Sequence, residues 1–336
     1  MADPVRLIAD AVLYEGYILW PYTRSAMKNR QRWTFGGVYP KGHSEGRDDD
    51  PWAMQTECLV ETDDGASVEI GVRFLHVVER KVARQTAGGL EEVDELTVGG
   101  ERHLAWDEAV EREVVASGLE LEALGEGHRV PISIEATSEE EELREPSGAR
   151  AGAIVRSWQP LEGAVEIRTE RLEGSVHRLT VRILNTTPWT GGPREDALRS
   201  TFCSAHTVLR ATGARFVSVT DPPDELREAA ESCRNEGTWP VLVGEPGDRS
   251  TMLSSPIILE DYPRIAPESP GDLFDGGEID QMLTLNILSL TDEEKAEMRD
   301  SDPRAREILE RTESLTEEQL MALHGTIREF GMARHR

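Results

Sequence analysis

The stretch Ser67–Val82, SVEIGVRFLHVVERKV, decides how this chain is read, because it is an apolar run of strand type. Shorter runs of the same kind lie around it between Met54 and Leu143, among them ECLVE (57–61), DELTV (94–98) and VPISIEA (130–136). Turn-forming groups divide them: Asp63-Asp64-Gly65, Gly88-Gly89, Gly99-Gly100 and Gly125-Glu126-Gly127. Glu139–Glu142 reads as a solvated acidic turn. Beyond it AGAIVRSWQP (151–160), AVEIRTERL (164–172) and VHRLTVRILN (176–185) continue the pattern. Alternation is clearest in His177–Asn185, where Leu179, Val181 and Ile183 share one face. Many strands at short spacing predict an antiparallel sandwich or barrel.

The character changes at NTTPWTGGP (185–193), a turn-rich segment read as a domain boundary. Arg194–Ala211 is then expected to be a helix, Arg215–Val219 a strand, Asp224–Cys233 a helix and Pro240–Gly244 a strand, in the order of a βαβ-like unit. The second helix is framed by Asp221-Pro222-Pro223 and Asn235-Glu236-Gly237. Leu283–Leu290, LTLNILSL, reads as a further strand. Three helices are expected after it. Thr291 with Glu294 and Thr316 with Gln319 form capping boxes, and Asp302-Pro303 marks a start between them. The expected class is α+β: a β-rich domain, sandwich or barrel-like, over residues 1–190, an α/β domain over 191–290 and a helical tail over 291–336.

At 336 residues the chain can bury a full core without disulfide staples. Its three cysteines, Cys58, Cys203 and Cys233, are scattered and odd in number, which points to a reducing compartment. The opening MADPVRLIAD has no basic, then apolar, leader pattern, and no apolar run approaches the length of a membrane span. A cytoplasmic protein without membrane insertion is the expectation. With 64 acidic against 37 basic residues the net charge is −27, which opposes phosphate binding and argues against a nucleic-acid partner. Such a surface favours basic partners or cations.

Three features are candidates for function. In Val5–Phe35 the aromatics Tyr14, Tyr17, Trp20 and Tyr22 precede Arg24, Lys28, Arg30 and Arg32, a basic patch on an acidic chain. It reads either as a core element followed by a solvated turn or as a patch that meets the chain's own acids or an anionic partner. The stretch SSPIILEDYPRIAPESPGDLFDGGEID (254–280) carries Glu260, Asp261, Glu268, Asp272, Asp275, Glu278 and Asp280 with four prolines and three glycines. It lacks the D-x-[DN]-x-[DN]-G pattern of an EF-hand and is read as a solvated loop, a protein-contact loop or a cation site. Cys203 and His206, three apart in LRSTFCSAHTVL, have ligand types that suit a transition metal, with Cys233 as a third ligand; an apolar helix face carrying ordinary core residues is the other reading. GxSxG, HExxH, Walker A, GxGxxG and CxxC signatures are absent.

Three blocks carry a resemblance: IADAVLYEGYILWPYTRSAMKNRQRWTFG (8–36), TWPVLVGEPGDRSTMLSSPIILEDYPRIAPESPGDLFDGGEIDQMLTL (238–285) and TDEEKAEMRDSDPRAREILER (291–311), with REDALRSTFCSAHTVL (194–209) between the first two. The chain resembles a family of bacterial proteins encoded within actinobacterial-type [NiFe]-hydrogenase gene clusters, beside structural and maturation genes. The resemblance implies a role in assembling, maturing or supporting a hydrogenase, with a hydrogenase subunit or maturation protein as partner. It brings no catalytic residues to transfer, and Ser44–Gly174 lies outside the matching blocks.

Overall fold

The computed structural model describes residues 4–15, 36–264, 287–301, 306, 309–310 and 312–316. It divides into two compact units, residues 1–17 with 31–263 and residues 18–30 with 264–336. The first unit is organised by a single strand, β1 (Ala53–Thr86), of 34 residues. Laid straight, it would reach about 110 Å at the usual rise per residue, so it must curl to stay inside a domain. Twelve more strands follow among the described residues: β2 (Gly89–Val93), β3 (Glu95–Val98), β4 (Glu101–Leu104), β5 (Trp106–Glu120), β6 (His128–Ile134), β7 (Thr137–Arg144), β8 (Arg150–Trp158), β9 (Leu161–Arg171), β10 (Val176–Asn185), β11 (Cys203–Phe216), β12 (Trp239–Leu242) and β13 (Thr251–Ser255). The helices are α1 (Pro4–Glu15), α2 (Lys41–Ser44), α3 (Arg194–Leu198), α4 (Arg227–Glu231) and α5 (Asp292–Ser301).

Antiparallel partners line both edges of β1. One edge takes β10 over Ala53–Glu61, β5 over Ser67–Arg80 and β2 over Val82–Thr86. The other takes β11 over Val60–Leu75 and β8 over Glu79–Arg84. The sheet extends from β10 to β9 and β6, from β11 to β13 and β12, and from β8 to β7, while β3 and β4 pair separately. Register shifts at Thr62–Ser67, Val68–Ile70 and Arg73–Leu75 bend and twist β1, as inserted residues do in an antiparallel ladder.

The curl closes the inward faces on one core. Val68, Ile70, Val72 and Phe74 of β1 meet Leu179, Val181 and Ile183 of β10 and Leu209 and Phe216 of β11. Phe74 and Phe202 stack at 4.6 Å between ring centroids and are both fully buried. A second cluster, Val82, Leu96, Val98, Leu143 and Ile154, lies at the far end of β1. A third, Leu59, Val176, Val217 and Ala230, includes α4 through Ala230. α1 covers β11 with Val5, Ile8, Ala9, Val12 and Leu13, whose spacing makes one buried stripe.

The structure corrects the α+β expectation: the chain is mostly β, and the curled antiparallel sheet spans most of it. Arg194–Ala211 is not a helix. Only Arg194–Leu198 is helical, and Cys203–Phe216 is a strand inside the sheet. Residues 203–209 are buried throughout because β11 is covered on both faces, and a short run of that kind carries no period that separates strand from helix. NTTPWTGGP therefore does not divide two folds, since β10 before it and β11 after it both pair with β1. The Glu139–Glu142 acids lie within β7, and Asp63-Asp64-Gly65 is a register shift within β1 rather than a turn between strands.

Of the second unit, Ile287 and Leu288 are helical where a strand was expected, and the rest of that expected strand before them lies outside the described residues. α5 starts with the expected capping box: the Thr291 amide donates to Glu294 at 2.8 Å and the Glu294 amide to the Thr291 hydroxyl at 3.2 Å. Glu313 pairs with Lys295 at 3.4 Å and Arg299 at 2.5 Å. The three-helix tail is not what the described residues show. They hold α5 and helical positions at 306, 309–310 and 312–313, and the positions from 317 on lie outside them.

Candidate functional site

One buried polar constellation in the first unit was not visible in the sequence. Gly36–Trp52 runs against the start of β11, held by Val38 and Phe202, whose amides and carbonyls exchange two hydrogen bonds of 3.0 Å. Asn185 at the end of β10 clamps this pairing, donating from Nδ2 to the Val38 and Ser200 carbonyls at 2.8 Å each. The segment thereby places Tyr39, His43 and Asp50, all buried, beside Arg194 at the start of α3. His43 donates from Nε2 to Asp50 at 2.9 Å, and Arg194 donates from Nε to both Asp50 oxygens at 3.1 Å. Arg194 also donates to the Tyr39 hydroxyl. The Tyr39 ring stacks on His43 at 5.3 Å, with Trp189 edge-on to His43 at 5.7 Å.

The electrostatics make this cluster an anchor. Burial alone would raise the Asp50 carboxyl, but the hydrogen bonds from Arg194 and His43 outweigh it and hold the group below the ordinary carboxylate range. Burial pushes the Tyr39 hydroxyl well above its usual range, with Arg194 opposing. A phenol held neutral and a carboxylate with every strong donor aimed at it are poor bases.

The sequence-predicted ligands fall out differently from one another. Cys203 and His206 lie on β11 at a bulge, where Ser204 adopts a left-handed φ of 51° and Cys203 comes opposite Leu75 and His206 opposite Arg73. The Cys203 thiol faces the Leu198 and Thr201 carbonyls at 3.9 and 3.7 Å, and burial pushes its pKa up. His206 shares a hydrogen bond of 3.0 Å between Nδ1 and the Ser204 carbonyl; burial lowers its pKa to about 4. Cys233 follows α4 and packs with the Leu59 cluster. Among the described residues no group of three or more His, Cys, Asp or Glu is placed to hold a metal, so these three do not make a ligand set.

The acidic stretch is described only to Arg264. Asp261 is fully engaged: one carboxylate oxygen accepts the Leu242 amide at 2.7 Å, the other the Ser218 and Thr220 hydroxyls at 2.5 and 2.9 Å. Glu260 is exposed. Glu268, Asp272, Asp275, Glu278 and Asp280 lie outside the described residues, as do Tyr22, Arg24, Lys28, Arg30 and Arg32.

What is described of blocks 8–36, 194–209 and 238–263 meets at one end of the sheet. In α1, the Val12 carbonyl accepts the Ser204 hydroxyl at 3.2 Å and Asp10 pairs with Arg73 at 2.6 Å. The Gly36 carbonyl accepts the Ala205 amide at 2.9 Å, and with φ +58° a side chain at Gly36 would run into the Pro256 ring. β13 pairs with β11, and Ser254 shares hydrogen bonds of 2.7 and 2.8 Å with Thr56 and Thr238.

Elsewhere, the outer face of β1, β10, β9 and β6 carries an open groove of about 460 Å³. Gln55, Arg182, Glu166 and Arg129 are directly opposed across it, and Glu166 pairs with both arginines. Arg168, exposed beside them, has no carboxylate partner among the described residues. The i, i+2 polar pairs Glu166 and Arg168 in AVEIRTERL and Thr180 and Arg182 in VHRLTVRILN are the sequence signal for this face. Among the described residues no helix is long and apolar enough to cross a membrane. Compared with protein-family models, curated proteins and solved structures, the chain matches none.

Proposed function

We propose that this protein is an accessory factor for the assembly or maturation of a [NiFe]-hydrogenase, working in the cytoplasm by protein contact. One observation carries the reading. The segments that bear the family resemblance are far apart in sequence, yet their described parts in the first unit are tied together around β11 and β13. The region outside the resemblance, Ser44–Gly174, builds much of the rest of the sheet. A recognition surface made from remote segments requires this kind of cross-bracing, because a specific interface needs its contact groups held in register. The buried Cys58 and Cys203 thiols, both pushed up in pKa by burial, are not nucleophiles at neutral pH, which also favours contact over covalent chemistry.

The test is isolation of the tagged protein from cells that express the hydrogenase gene cluster. A hydrogenase subunit or precursor is expected in the eluate. The triple change Glu260→Lys, Glu268→Lys and Asp272→Lys is expected to weaken its recovery, since charge at an interface rim sets association. Repeated preparations without any such subunit, while the cluster is expressed, would refute the proposal.

A further inference from the structure

The groove on the outer face of β1, β10, β9 and β6 has room for a ligand, about 460 Å³, and its lining runs against the charge of the chain. Three arginines, Arg129, Arg168 and Arg182, stand against two glutamates, Glu126 and Glu166, so these groups sum to +1 in a protein of net charge −27. The strand register fixes their places. Gln55, Arg182, Glu166 and Arg129 form one row across the four strands, and Glu57, Thr180 and Arg168 form the next row across β1, β10 and β9. Successive rows on one face of a sheet are about 7 Å apart, a span that arginine side chains cover, so the three guanidinium groups line one opening.

The other polar groups around Arg168 are committed. Glu166 pairs with Arg129 and, at 3.4 Å, with Arg182, which braces both arginines. Glu170, the next acid on β9, pairs with Arg178 at 2.7 Å. Glu57 is buried and accepts the Thr180 hydroxyl at 3.2 Å and the Arg234 amide at 2.8 Å, while Gln55 donates to the Arg234 carbonyl at 3.1 Å. Arg168 is thus flanked on its own strand by two acids that other arginines occupy. Across the ladder it meets Thr180, whose hydroxyl is donated away. It is exposed in the groove, and among the described residues it has no carboxylate partner.

We infer that this groove is a binding site for a small polar carboxylate, anchored on Arg168. The parallel N–H groups of a guanidinium match the two oxygens of a carboxylate, which is why arginine rather than lysine serves planar bidentate recognition. A single negative charge balances the lining, whereas a phosphate dianion would overshoot it beside Glu126 and Glu166. Among the described residues the lining holds one aliphatic side chain, Ile167, and that is buried in the core, so the groove has no apolar wall. The Glu126 carboxylate and the Gln55 amide oxygen are acceptors, which suit a ligand with a hydroxyl or amino group near its carboxylate. The volume is that of a small-molecule site, about 300–1,000 Å³.

Isothermal titration and saturation-transfer NMR of the full chain at pH 7.5 and constant ionic strength test the site, with sodium glycolate as probe and with glycolamide, inorganic phosphate and sodium chloride as comparisons. Saturable binding of glycolate is expected, and none of glycolamide, which keeps the shape and loses the charge. Arg168→Gln is expected to abolish the binding, and Arg168→Lys, which keeps the charge and loses the fork, to weaken it about tenfold or more. Arg215→Gln, at an exposed arginine of β11, is expected to bind as the wild type does. Should Arg168→Gln fail to fold, Arg168→Lys alone decides. The inference is overturned if the wild type shows no saturable glycolate binding or if glycolamide binds as well. It is equally overturned if phosphate binds more tightly than glycolate, if either Arg168 variant binds as the wild type does, or if Arg215→Gln is the variant that loses the response.

Discussion

Replacing Asp50 with alanine tests whether the Tyr39–His43–Asp50–Arg194 cluster holds the Gly36–Trp52 segment to β11. The Asp50 side chain is 7% exposed and accepts from His43 at 2.9 Å and from Arg194 at 3.1 Å. Its removal leaves the His43 Nε2 hydrogen buried without an acceptor, at about 1–3 kcal/mol. Among the described residues His43 Nδ1 has no partner either, so no second bond to the ring makes up the loss. Arg194 also loses its counter-charge, but its side chain is 38% exposed, so water replaces part of that interaction. The total falls near the lower end of the range for breaking a buried pair, about 3 kcal/mol. In a unit of this size that is a loss of about 6–12 °C in Tm. Urea unfolding at pH 7.5 measures it, with the slope m expected to stay constant. Asp50→Asn keeps one acceptor oxygen and is expected to lose about half as much. The pH dependence has a fixed sign. Asp50 is held below its ordinary value, so its contribution is present above the unfolded pKa of about 3.9 and is lost as pH falls through the folded value. The gap between wild type and Asp50→Ala should therefore narrow in acid. A loss under about 1 kcal/mol at pH 7.5, or a gap that widens on acidification, would refute the reasoning.

Other expectations follow from burial and close approach. A Cβ at Gly163 would overlap the Leu184 carbonyl oxygen and the Phe202 ring, so Gly163→Ala should destabilise by about 1–3 kcal/mol, whereas Gly125→Ala, with nothing within 4 Å, should stay within about 0.5 kcal/mol in the same urea assay. Alkylation by iodoacetamide, followed by mass spectrometry, should modify the half-buried Cys233 first and reach Cys58 and Cys203 only on unfolding; equal rates for all three would contradict the packing described. The His76 proton resonances should titrate with a midpoint near 4, and a midpoint near the ordinary 6.5 would mean the ring is hydrated.

The sheet was legible where one face of a strand is wet. Leu179, Val181 and Ile183 alternate with residues outside that cluster, and the structure puts all three in the core. The expected helix Asp224–Cys233 was legible in part through its punctuation: the structure gives a 3-10 turn over Asp224–Leu226 continued by α4, which stops at Glu231. TFCSAHTVLRA was not, because a strand covered on both faces has no polar side to set a period, and its bulge at Ser204 disturbs what periodicity remains. The length of β1 was hidden for a related reason: Asp63-Asp64-Gly65 is turn chemistry, yet the chain absorbs it as a register shift while pairing continues on both sides. The polar anchor was out of reach altogether, since Tyr39 and Arg194 are 155 positions apart and their segments meet through long-range pairing such as the bridge between Val38 and Phe202. Asp261 was flagged as part of an outward acidic loop. Its three hydrogen bonds are invisible to composition, because their donors come from the Ser218–Thr220 turn and from β12.

The proposed contact surface at the end of the sheet around β11 and β13 is tested most directly by hydrogen–deuterium exchange of the complex isolated from hydrogenase-expressing cells. Protection on partner binding is predicted in peptides covering Gly36–Tyr39 and Trp239–Pro263, with exchange unchanged in β6 and β9. Protection confined to the β6–β9 face, or unchanged exchange at Trp239–Pro263 in a verified complex, would contradict it.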